Sequence, residues 1–170
     1  MQLYNTMTER VERFDAPDGE VKLYVCGVTP YDTTHVGHAF TYLVFDVLVR
    51  YLRHEGLAVT YVQNVTDVDD PLFRKAAELG IAWEELARRE TEKYLRDMAN
   101  LNVLKPDHYV KATDHIAEML AIIAPLIEQG HAYQANGNVY FAVDSDPEFG
   151  KLSHLPRAEM LPIANERGNT

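Results

Sequence analysis

Two imidazoles spaced by a valine and a glycine, His35-Val36-Gly37-His38, stand between an apolar strand-like run and an apolar helix-like run. That arrangement suits phosphate chemistry. A glycine at a helix start lets a phosphate approach backbone N–H groups, and the positive end of the helix dipole favours the anion. His35 and His38 can add hydrogen bonds as charge develops on the phosphate, which makes them the expected catalytic pair. Thr33 or Thr34 is placed to cap the helix. Upstream lies Cys26, the single cysteine of the chain. Without a disulfide partner it is a buried small hydrophobe, a metal ligand or a reactive thiol. A third group, Asp67, Asp69 and Asp70, follows a second apolar run. Its carboxylates could hold magnesium, but Asp67 or Asp69 is better suited to cap the helix that Pro71 opens.

The elements that must position these residues are legible from periodicity. Residues 21–25 read as a buried parallel strand, ended by Gly27 and Pro30. From 37 to 53, Ala39, Tyr42, Leu43, Phe45, Val47, Leu48, Tyr51 and Leu52 recur at helical spacing until Gly56 stops the pattern. Residues 58–63 form a second strand. Strand, helix and strand make a βαβ crossover, in which ligands sit beyond the carboxyl ends of the strands, where 26–38 and 64–70 both fall. Further on, Pro71 to Leu79 reads as a helix with Gly80 as its stop, and 83–101 as another. A helix from Thr113 or Asp114 to about residue 129 ends at Gly130. Asn136-Gly137 marks a hairpin between 131–135 and 138–143. Residues 144–170 show no period. Only two parallel strands emerge, half of a nucleotide-binding sheet.

Composition bounds the function. With 46% hydrophobic and 25% charged residues over 170 positions, the chain is a folded globular one, and it has no apolar run long enough to cross a membrane. Its start lacks a basic-then-apolar secretion signal, so a cytoplasmic location is expected. A net charge of −10 excludes a broad nucleic-acid-binding face. Glu84, Glu85, Glu90, Glu92 and Asp97, interleaved with Arg88, Arg89, Lys93 and Arg96, read as a solvated helical face. Trp83, Tyr94 and Tyr133 read as core or interface residues. His108, His115, His131 and His154 are scattered, without metal-ligand spacing.

Two longer stretches carry a resemblance. Tyr24-Val25-Cys26-Gly27-Val28-Thr29-Pro30-Tyr31-Asp32 with Thr34-His35-Val36-Gly37-His38-Ala39, then Tyr61-Val62-Gln63-Asn64-Val65-Thr66-Asp67-Val68-Asp69-Asp70, resemble the cysteine-activating branch of class I aminoacyl-tRNA synthetases. That branch holds cysteinyl-tRNA synthetases and a mycothiol-pathway ligase that joins cysteine to glucosaminyl-inositol. Thr29 to Asp32, Thr34, Thr41-Tyr42, Gln63, Asp70-Pro71-Leu72 and Glu166-Arg167-Gly168 resemble the ligase, although Asn169 and Thr170 depart from its pattern.

The resemblance implies an α/β fold. Residues 1–104 would be the first half of a Rossmann-like catalytic domain, and 105–170 a connective insertion of helix, hairpin and irregular tail. The second half would lie outside this chain, and the intact protein is expected to be longer. The implied activity is ATP-dependent: L-cysteine becomes cysteinyl adenylate, with magnesium bridging the phosphates and pyrophosphate leaving. Cysteine then passes to the amine of glucosaminyl-inositol or, in the alternative, to tRNA. Counterparts of Gly27, Val28, Thr29, Gly37, Thr41, Asn64, Val65 and Thr66 shape the ATP and adenylate pocket. The counterpart of Cys26 is a zinc ligand; zinc would hold the substrate thiolate and so separate cysteine from serine. The family's other zinc ligands lie in the second half of its domain. Two rivals remain: a small nucleotidyltransferase, which needs a complete five-strand sheet, and a non-enzymatic truncated paralogue.

Overall fold

The computed structural model describes residues 1–32 and 35–166. They divide between two compact units, Ala16–Ala117 and Met1–Asp15 with Glu118–Thr170. The chain begins in the latter with a hairpin, β1 (Gln2–Asn5) antiparallel to β2 (Arg10–Arg13). No sequence period announced it.

The unit Ala16–Ala117 carries the expected crossover. β3 (Glu20–Val25) runs into α1 (Val36–His54), and the chain returns as β4 (Ala58–Val65), parallel to β3 with Val21 opposite Val59 and Val25 opposite Gln63. Val21, Val25, Val59, Tyr61 and Val65 are buried on alternating strand positions, and Tyr42, Asp46, Val49 and Leu52 of α1 are buried at helical spacing. β4 extends two residues past the expected end at 63, so Asn64 and Val65 belong to the ladder.

α2 (Asp70–Leu79) starts as predicted, with Asp69 as its cap and Pro71 in its first turn, and Gly80 closes it at φ 66°. α3 (Trp83–Asn100) packs back on it. Leu72, Ala76, Leu86 and Ala87 form a second small core, with Ile81 and Trp83 against it. Glu90, expected on the solvated face of α3, is only 12% exposed in its pair with Arg89, whereas Arg88–Glu92 is an exposed pair on the charged side. Isolated exposed pairs of this kind add little stability.

One expectation needs correction. The sheet has three parallel strands: β5 (His108–Lys111) pairs with β4, Val62 opposite His108 and Val65 opposite Lys111. The sheet thus continues past residue 104. Four residues with two exposed ends show no readable period, and β5 is held in place by the loop before it. Buried Asp46 accepts hydrogen bonds from Arg50 and from the Leu104 amide, both at 2.7 Å. Asp107 accepts from the Tyr61 amide at 2.7 Å and from Arg53 at 3.0 Å.

Thr113–His115 makes a single 3-10 turn leading into α4 (Ile116–Glu128), whose later part belongs to the other unit. There β6 (Ala132–Ala135) and β7 (Asn138–Phe141) form the expected hairpin, with Asn136 and Gly137 at positive φ. Tyr133, expected in a core or interface, is 52% exposed and stacks on Tyr140. The tail is not irregular throughout, because α5 (Arg157–Glu166) forms despite Pro162. No helix of the described residues is long and apolar enough to cross a membrane.

Candidate active site

At the carboxyl end of β3 the chain must pass very close to β4. A Cβ on Gly27 would lie 1.6 Å from the Asn64 carbonyl oxygen, so only glycine fits there. Its amide donates to the Asn64 side chain at 2.7 Å. One residue on, the Val28 carbonyl accepts the Thr66 amide at 3.0 Å, and the Thr29 hydroxyl leans on the Asp69 carboxylate at 3.4 Å. Behind the turn, the buried Tyr42 hydroxyl donates to the Cys26 carbonyl at 3.3 Å. Burial pushes this phenol up to about 12, so it stays a neutral donor. Tyr61, Gln63 and Tyr94 continue the buried polar network, through bonds of 3.1 and 2.8 Å at the Gln63 amide.

α1 begins with its two histidines. His35 is the N-cap residue, and its Nδ1 accepts the Gly37 amide at 3.1 Å. His38 Nδ1 faces the His35 amide at 3.5 Å, which completes a reciprocal capping box made of imidazoles. The rings stack with centroids 3.9 Å apart. This replaces the expected threonine cap; Thr33 and Thr34 themselves lie outside the described residues. Gly37 also has a different reason from the one expected. A Cβ there would stand 2.9 Å from the His35 ring, so the glycine makes room for the folded-back cap.

The helix-start amides are correspondingly occupied: Gly37 by His35 Nδ1, and His38 and Ala39 by the His35 carbonyl. The two imidazole rings remain there as donors toward an anion. A ring whose Nδ1 accepts is neutral and carries its proton on Nε2. Burial, helped by the adjacent His35 ring, lowers the His38 pKa below its ordinary value, which keeps that form at neutral pH.

Gly27, Val28, Thr29, His35 and His38 come together around one cleft of about 310 Å³, with Tyr31 and Asp32 on its wall. Asn64 and Thr66 shape it from behind through their bonds to Gly27 and Val28. Val65 is fully buried, and its side chain contributes packing. Thr41 stands away from the lining, exposed, with its hydroxyl on the Gly37 carbonyl at 3.2 Å. Cys26 is an exposed thiol rather than a buried strand-end cysteine. Among the described residues no three His, Cys, Asp or Glu side chains converge on a point, so these residues do not complete a zinc or magnesium site. Asp67 is buried on Thr113, and Asp69 is the cap of α2. Sequence reasoning did not reach the supporting roles of Tyr42 and Asp67. Only Tyr42 left a signal, since it lies on the same helical stripe as Val49 and Leu52.

Residues 14–169 match the model of the tRNA synthetases class I (C) catalytic domain. The chain is 47% identical over 168 residues to the L-cysteine:1D-myo-inositol 2-amino-2-deoxy-alpha-D-glucopyranoside ligase of Frankia casuarinae, covering 99% of this chain and 36% of that protein. It is 50% identical over 153 residues to the ligase of the same name from Catenulispora acidiphila, covering 90% of this chain and 36% of the relative. The chain therefore spans little more than a third of the curated relatives it matches. Among solved structures, Mycobacterium tuberculosis methionyl-tRNA synthetase in complex with methionyl-adenylate aligns with a TM-score of 0.60 at 25% identity, over 66% of this chain and 23% of that one.

Proposed function

Because the chain belongs to the class I (C) tRNA-synthetase catalytic-domain family, we propose that it supplies the phosphate-binding part of an ATP-dependent cysteine ligase, with the amine of glucosaminyl-inositol as acceptor. The cleft carries the reading: two stacked imidazoles face the backbone of Gly27 to Thr29 at the carboxyl end of a parallel strand.

In the first step an oxygen of the cysteine carboxylate attacks the α-phosphorus of ATP. The new O–P bond forms as the bond to the β-phosphate bridge breaks, and pyrophosphate leaves. His35 and His38 would stabilise the charge gathering on the α-phosphate through Nε2–H donors that are already oriented. In the second step the acceptor amine attacks the cysteinyl carbonyl, AMP departs, and an amide remains once the nitrogen has lost its proton. Positioning and electrostatics do this work, with no covalent enzyme intermediate. Magnesium enters with ATP as part of the substrate. Cys26 is proposed as one zinc ligand; the described residues do not complete its set, and no step is routed through zinc.

ATP–pyrophosphate exchange tests the first step in the protein as the cell makes it. Exchange should depend on cysteine and fail with serine. Added glucosaminyl-inositol should then be consumed with release of AMP. Charging of tRNA in its place would move the acceptor to the synthetase side, and exchange driven by a phosphorylated alcohol would indicate a nucleotidyltransferase. Absence of cysteine-dependent exchange would refute the proposal.

A further inference from the structure

Of the three acidic residues after β4, Asp67 is the one that the chemistry above leaves without a task. It is 8% exposed. One carboxylate oxygen accepts the Thr113 amide at 3.0 Å and the other accepts the Thr113 hydroxyl at 2.7 Å. A carboxylate is costly to bury unless it is hydrogen-bonded, and two bonds to one residue fix both the position and the rotation of that residue.

The location of this grip matters. β4 ends at Val65, whose carbonyl accepts the Ala112 amide at 3.0 Å, and Thr66 is the first residue beyond the ladder. The Thr66 amide holds the Val28 carbonyl at 3.0 Å, and Val28 lines the cleft. Between the Asp67 grip and the cleft wall there is thus a single residue. Without Asp67, the segment between Val65 and the Asp69 cap of α2 would lose its hold on Thr113, and the Thr66 amide would be less firmly placed against Val28.

We propose that Asp67 is a positioning residue for the ATP cleft: by gripping Thr113 it fixes Thr66, and through Thr66 it sets the distance at which the Gly27 to Thr29 backbone faces the two imidazoles. The inference rests on the reading that this cleft takes the phosphates of ATP. It also explains why an aspartate, with two acceptor oxygens, stands at a position that the sequence offered either to magnesium or to a helix cap.

Three variants of the chain test it: Asp67→Ala, Thr113→Val and Thr113→Ser. Two readings are taken on each. Amide hydrogen exchange at Gly27 and Thr66 is compared with that at Val49 in the core, and the ATP dissociation constant is followed by the imidazole NMR signals of His35 and His38. Asp67→Ala should speed exchange at Gly27 and Thr66 by on the order of tenfold relative to Val49 and weaken ATP binding severalfold. Thr113→Val, which keeps the amide bond, should move both in the same direction by less. Thr113→Ser, which keeps the hydroxyl, should restore both. Exchange at Gly27 and Thr66 that tracks Val49 in every variant would overturn the proposal, as would unchanged ATP affinity in Asp67→Ala. The variants are made in the protein as the cell makes it; if its unaltered form fails to bind ATP, the ATP reading fails, and the exchange of Gly27 and Thr66 alone decides whether Asp67 positions them.

Discussion

Replacing Gly27 with alanine gives the sharpest test of how the cleft is built. The added methyl would meet the Asn64 carbonyl oxygen at 1.6 Å and its carbon at 2.7 Å, and both are backbone atoms of the neighbouring strand end. Relief therefore requires the ends of β3 and β4 to part by roughly 1.5 Å, since no rotamer change can absorb the clash. A shift of that size removes the 2.7 Å bond from the Gly27 amide to Asn64 and strains the adjacent one from Thr66 to Val28. One partly buried hydrogen bond lost and a second weakened, together with overpacking, come to about 3–5 kcal/mol. Gly19→Ala provides the control: its φ of 71° is left-handed but nothing lies within 4 Å of the added carbon, so only backbone strain of about 1 kcal/mol is expected. Urea denaturation of the two variants beside the parent chain reads the difference. If Gly27→Ala costs no more than Gly19→Ala, the close approach of the strands is not what the glycine serves.

Other residues give independent checks. Asp46→Ala deletes a buried carboxylate that accepts two bonds of 2.7 Å and should cost about 2–4 kcal/mol by urea denaturation, with exchange accelerated around Leu104; a loss below about 1 kcal/mol would show that Asp46 does not hold the loop before β5. Tyr42→Phe removes only the hydroxyl on the Cys26 carbonyl and should cost about 1 kcal/mol, with NMR shifts concentrated at Cys26 and Gly27; unchanged shifts there would break the link. The pH response follows from the direction of the His38 shift. Its folded-state pKa lies below the ordinary 6.5, so between the two values the unfolded chain binds more protons and stability rises with pH. Acidification through that window should loosen the start of α1. An NMR titration in which His38 protonates at or above 6.5 would contradict this.

The sequence made the crossover legible because β3, α1 and β4 each carry enough residues to show a period. It did not show which side of α1 faces the sheet. Tyr42, Val49 and Leu52 are buried while Phe40 and Val47, equally apolar, are 68% and 63% exposed. Four residues of β5 on the sheet edge cannot display a period at all, and their strand state depends on Asp46 and Asp107, which act from elsewhere in the chain. α5 was hidden by Pro162, a residue that removes a helical donor. Its first residue is held from outside the helix, Arg157 donating to the Val143 carbonyl at 2.9 Å.

At the site, the same division between local and distant causes decides what could be read. His35 and His38 are three residues apart in sequence, so their joint position at a helix start was visible. The reason for Gly27 was not, because the atom that excludes a side chain belongs to Asn64, on another strand. Local reading also assigned the helix-start amides to a phosphate, whereas His35 folds back and takes the Gly37 amide itself. The consequence is chemical. With the Gly37 amide paired, an incoming phosphate meets imidazole edges whose Nε2 carries the proton because Nδ1 accepts from the backbone. Anion binding at this turn is then set by the tautomer that the capping box imposes. The glycine between the two histidines serves that box, by leaving space for the ring that closes it.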